Sequence, residues 1–105
     1  MGHYYELDEN RNAVPCTQQE CFYQREEMNN NNTKQVARDE AKGKIISTVW
    51  LGINHNPDLK GKPLIFETLV FEEENNVIEI YAQYYSTWTE AKEGHQETVR
   101  LMETE

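Results

Sequence analysis

Glu67 stands in the middle of a strand-forming run, Leu64-Ile65-Phe66-Glu67-Thr68-Leu69-Val70-Phe71. In a strand its same-face neighbours are Ile65, Leu69 and Phe71, so the carboxylate must be paired, hydrogen-bonded or exposed, because burying it alone costs several kcal/mol. Such a group can contact a ligand or act as an acid or base with a raised pKa. It can equally occupy an edge strand or pair with a Lys or Arg. His55 lies between Asn54 and Asn56, and His95 lies on the apolar face of a C-terminal helix. With Glu67 these two form a His/His/Glu set, a known zinc combination. No local motif such as HExxH fixes its geometry, and a helix-face His is more often a packed core residue with one satisfied nitrogen. Trp50, Trp88, Tyr84 and Tyr85 are a rich aromatic supply, able to stack on a nucleobase, anchor an interface or simply fill the core. The candidate ligand-binding residues are therefore Trp50, His55, Glu67, Thr68, Trp88 and His95, with no catalytic residue, metal or cofactor assigned.

Other chemistries lack their residues. Gly43, Gly52, Gly61 and Gly94 are dispersed, so no phosphate-cradling Gly-rich loop is present, and GxSxG is absent. Cys16 and Cys21 are not a CxxC pair, have no His at zinc-finger spacing and no neighbouring His to activate a thiolate. With Cys21 inside a helix and Cys16 just before it, a disulfide has poor geometry and free thiols are expected.

Ten Lys and Arg face nineteen Asp and Glu, a formal net charge of −9 on 105 residues. That balance opposes direct binding to nucleic acid or to an anionic membrane. It permits a basic protein partner, or mimicry of nucleic-acid charge through Glu72, Glu73, Glu74 and Glu79 with Glu90, Glu93 and Glu97. Lys44, Lys60 and Lys62 flank the two strongest strands and are the local basic group that would hold an anionic nucleotide. No apolar run approaches the roughly 18 residues needed to span a bilayer, and the acidic start, Glu6, Asp8 and Glu9, gives no expectation of a leader peptide.

The elements that must position these residues fit one domain over 1–105. His3 to Leu7 and Ala13-Val14 read as a hairpin across Asp8 to Asn12. Thr17-Gln18-Gln19-Glu20 is a capping box that opens a helix to about Met28, anchored mainly through Phe22, with Asn29 to Asn32 as a loop. Gln35 to Asp39 is a weaker strand and Ala41-Lys42-Gly43 a turn. Strong strands follow over Lys44–Ile53, Pro63–Phe71 and Val77–Tyr85. Glu72 to Asn76 reads as an acidic turn between the last two. Thr87-Trp88-Thr89-Glu90 opens a second helix to about Met102, with Trp88, Ala91, His95, Val99 and Met102 on one face. Short connections make the strands antiparallel neighbours. The fold class is α+β, an antiparallel sheet of three to five strands with two helices packed on one face. Apolar faces on the central strands make a homodimer one arrangement.

The phrases Ser47-Thr48-Val49-Trp50-Leu51-Gly52-Ile53-Asn54-His55-Asn56, Phe66-Glu67-Thr68-Leu69-Val70-Phe71 and Tyr85-Ser86-Thr87-Trp88-Thr89-Glu90-Ala91-Lys92-Glu93-Gly94-His95, with the opening Tyr4-Tyr5-Glu6-Leu7-Asp8, resemble a family of small hypothetical proteins of tailed bacteriophages and prophages. The resemblance covers most of the chain and implies a phage setting in the host cytoplasm, with no chemistry attached. Members follow the Phe-Glu-Thr strand with a Gly-rich loop. This chain carries a longer acidic and apolar stretch, Glu72 to Tyr84, so a site built on that loop would be altered here. The resulting expectation is a non-enzymatic binding protein that acts on a host protein, such as a defence protein, or sequesters a small nucleotide-like ligand. The acidic mimic, a small metal-dependent enzyme and a minor virion component are the alternatives.

Overall fold

The computed structural model describes residues 2–72 and 78–104, with the backbone alone at 78 and 79. Eight elements follow in chain order: β1 (Tyr5–Leu7), β2 (Ala13–Pro15), α1 (Gln18–Asn31), β3 (Gln35–Ala41), β4 (Lys44–Trp50), β5 (Phe66–Glu72), β6 (Ile78–Tyr85) and α2 (Trp88–Glu103). β1 and β2 form a two-stranded antiparallel sheet, and β3-β4-β5-β6 form a four-stranded antiparallel meander. The fold is α+β.

Strand alternation decides which side is covered. Ile46, Thr48 and Trp50 of β4 and Phe66, Thr68 and Val70 of β5 are buried on the side that carries α2. α2 lies across all four strands of the meander and buries Ala91, His95, Thr98 and Met102, at spacings of four, three and four. Two packed groups result. Ala41, Ile46, Val70 and Met102 fill the half near the end of α2, and Trp50, Ile65, Phe66 and Ala91 fill the half near its start. Met28 of α1, Leu7 and Ala13 of the hairpin and Val36 close over the second group. Val36 reaches it because a bulge between Gln35 and Ala37 shifts the β3 register.

Local chemistry explains most boundaries. Thr17 and Glu20 complete a reciprocal capping box: Glu20 N–H donates to Thr17 Oγ1 at 3.1 Å and Thr17 N–H donates to Glu20 Oε1 at 2.9 Å. The hydrogen bond from the Thr17 backbone N–H, with a lesser one from the Thr17 side chain, holds the Glu20 carboxyl below its ordinary pKa. The Asn run is not the expected loop. α1 continues through Asn31 and stops at Asn32, which takes the left-handed conformation at φ +55°. Phe22 is not the anchor of α1 either, being 44% exposed; Cys21 is fully buried instead. The reason is Gly52, at φ +77°, whose missing Cβ would stand 3.0 Å from Cys21 Sγ, so helix and strand end approach closely there. Gly52 also ends β4 at Trp50, short of the expected Ile53. The Lys42-Gly43 turn has positive φ at both residues, the twist that suits a two-residue hairpin.

Candidate functional site

His95 is 2% exposed and lies between α2 and the sheet. Its Nε2 is 2.8 Å from Asp39 Oδ2 on edge strand β3, and its Nδ1 is 2.7 Å from Thr48 Oγ1. Thr48 Oγ1 is 2.5 Å from Thr68 Oγ1. With Nε2–H donating to Asp39, Thr48 donates to Nδ1 and Thr68 donates to Thr48, so each buried atom of the chain finds a partner. Asp, His and a hydroxyl in line resemble an acyl-transfer triad. Yet Thr48 and Thr68 are both fully buried beneath α2, so no substrate can reach the hydroxyl that would attack. The line is a polar pin between helix and sheet. Three of its four members, Thr48, Thr68 and His95, come from the phrases quoted above, and in each of those phrases that residue serves the core.

The His/His/Glu set does not converge. Glu67 is half-buried on the opposite side of the sheet, with Val49 and Tyr84 as cross-strand neighbours. His55 is exposed and stacks on Tyr84 at 5.3 Å between ring centroids, which puts it with Glu67 and away from His95. β5 is central rather than an edge, so an edge position does not explain Glu67. Among the described residues no three His, Cys, Asp or Glu side chains are grouped to hold a metal. The thiols are poor nucleophiles. Burial, with Cys21 beside it, pushes Cys16 up to about 11, and burial also raises Cys21. Of the acidic group, Glu73 and Glu74 and the side chain of Glu79 lie outside the described residues.

Of the candidates, Trp88 opens onto a cleft among the described residues. It begins α2, braced edge-on by buried Phe66 at 6.1 Å. The cleft has a volume of about 570 Å³, within the range of small-molecule sites. Asn10, Arg11 and Asn12 of the hairpin tip form one wall, Lys62 and Pro63 another, and Ser86 to Glu90 the third. Arg11 holds its guanidinium 4.6 Å over the Trp88 ring centroid. The hairpin tip is rigidly built: Asp8 Oδ1 accepts from Asn10 N–H at 2.8 Å and Asn12 N–H at 2.9 Å, which sets Arg11 at φ +63°. The hairpin is held in turn by Gln24, whose amide donates to Leu7 O at 2.8 Å and accepts from Leu7 N–H at 2.9 Å. Lys62 is placed by Asn56, whose side-chain amide donates to its carbonyl at 2.8 Å. The cleft thus gathers two cations against one carboxylate, Glu90, which accepts from the Thr87 hydroxyl at 3.1 Å.

Such a lining suits a small anion that also carries a flat ring. Sequence reasoning supplied Trp88 and Lys62 and missed Arg11. The signal available was a cation in a turn led by an Asx residue, Asp8-Glu9-Asn10-Arg11-Asn12. Lys44 is elsewhere, beside Lys42 and Glu72, and Lys60 is not in the cleft wall. Among the described residues no helix is long and apolar enough to cross a membrane. No protein-family model, curated protein or solved structure matches the chain.

Proposed function

We propose that this chain is a small, non-enzymatic binding protein that sequesters a small anionic, nucleotide-like ligand in the cleft between the hairpin tip and the start of α2. The observation that carries the reading is Arg11 stacked 4.6 Å over Trp88, with Lys62 in the same cleft wall. A guanidinium and an ammonium meet an anion, and an indole face meets a ring. The phage setting implied by the sequence phrases gives such a protein a use, holding a nucleotide-like host signal out of circulation during infection.

Calorimetric titration with adenosine 5′-monophosphate tests it. The Arg11→Ala/Lys62→Ala double variant is expected to bind at least about tenfold more weakly than the parent, the worth of one charge-assisted hydrogen bond. Lys60→Ala is expected to bind as the parent does. Equal binding by the double variant, or no binding by the parent, would remove the reading.

A further inference from the structure

A second cleft, of about 540 Å³, lies against the first, and both Arg11 and Trp88 line the two of them. The Arg11–Trp88 contact is therefore a shared wall. The ends that it separates differ in charge. On the first side, apart from Arg11, stand Lys62, one carboxylate, Glu90, the amides of Asn10 and Asn12, and three hydroxyls. On the second side, apart from Arg11, stand two carboxylates, Asp8 and Glu9, with the amides of Gln24, Asn32 and Gln35 and the Thr33 hydroxyl, and no second cation among the described residues. Arg11 is exposed, and a cation–π contact at an exposed site biases its position only a few-fold. A nucleobase stacks on an indole more strongly than that.

We infer that Arg11 is a movable partition, and that when it leaves Trp88 the two clefts become one groove for a mononucleotide with an amino-bearing base. The base takes the indole face that Arg11 covers, the phosphate lies toward Lys62 and the released guanidinium, and the amino edge points to Glu9. The inference rests on the anion-binding reading of the first cleft and adds the length of the ligand and the identity of its far end. Asp8 is the less informative carboxylate to alter, since its Oδ1 already holds the hairpin turn.

Calorimetric titration of the full chain with adenosine 5′-monophosphate, adenosine and inorganic phosphate, each also against Glu9→Gln, tests it. The mononucleotide is expected to bind at least about tenfold more tightly than either fragment, because each fragment fills only one end of the groove. Glu9→Gln is expected to weaken the mononucleotide and adenosine several-fold and to leave phosphate unchanged. Phosphate binding as tightly as the mononucleotide would overturn the groove and leave the anion cleft standing. Adenosine binding as tightly as the mononucleotide, or no binding of any of the three, would overturn both. An unchanged mononucleotide affinity in Glu9→Gln would overturn the placement of the base.

Discussion

Arg11 occupies a left-handed backbone position, φ +63°, at which a side chain with a Cβ costs about 1 kcal/mol and glycine costs little. The guanidinium–indole contact returns a comparable amount, about 0.5–1 kcal/mol. Arg11→Gly is therefore expected to leave stability within about 1 kcal/mol of the parent in urea unfolding; a loss of several kcal/mol would mean that Arg11 serves the fold rather than a ligand. Thr48 makes the opposite case. Thr48→Val conserves shape and adds a methyl group to the core, yet it strips His95 Nδ1 and Thr68 Oγ1 of a partner where water cannot replace it. A loss of about 1–3 kcal/mol is expected, and a variant as stable as the parent would show that the Asp39–His95–Thr48–Thr68 line pins nothing. At this scale the sequence was partly legible. His95 could be read as a packed helix-face residue, because its spacing from Ala91 and Met102 is local information. The partners of His95, and the convergence of Arg11 on Trp88, could not be read, because they join residues brought together only by the meander and the docked hairpin.

Among the elements, α2 meets β6 through a glycine. A Cβ on Gly94 would overlap the hydroxyl-bearing edge of the Tyr85 ring, on the residue that ends β6. In an ordinary helix interior Gly→Ala gains about 1 kcal/mol. Here overpacking opposes that gain, and Gly94→Ala is expected to lose about 1–3 kcal/mol net. The loss should shrink or reverse in a Tyr85→Leu background, and a double-mutant cycle in thermal unfolding measures the coupling; additive effects would mean that the ring and the helix do not constrain each other. Burial also raises the Tyr85 hydroxyl above its ordinary pKa, as expected of a phenol held under a helix. The strands and both capping residues were legible in outline because strand propensity and the Thr-x-x-Glu pattern act within a few residues, although β5 starts at Phe66 rather than Pro63 and takes in Glu72, expected in the turn. The end of α1 was not, since whether Asn29 or Asn32 turns left-handed depends on what holds the helix in place. The anchor of α1 was not legible either. Choosing Cys21 over Phe22 requires knowing that Gly52 opens a slot opposite it.

For the whole molecule, a charge of −9 opposes an anionic ligand at long range. Distance and screening decide the matter. The molecule measures 40 × 31 × 25 Å, whereas charges in about 0.1 M salt are screened over about 10 Å. The carboxylates on the far sides are therefore muted at the cleft, whose local field is set by Arg11 and Lys62 with Glu90 and, across the Arg11–Trp88 wall, Asp8 and Glu9. A negative net charge opposes nonspecific binding to a polyanion, whereas a single small phosphate meets mainly the local field. The most direct measurement of the central claim is where a ligand lands. In ¹⁵N–¹H NMR of the full chain titrated with adenosine 5′-monophosphate, saturable shifts are expected at the Trp88 indole N–H and at the amides of Arg11, Asn12, Lys62 and Thr89. The buried Trp50 indole and the Glu67–Tyr84 face should stay unmoved. Saturable shifts centred on His55, Glu67 and Tyr84, or none anywhere, would contradict the account.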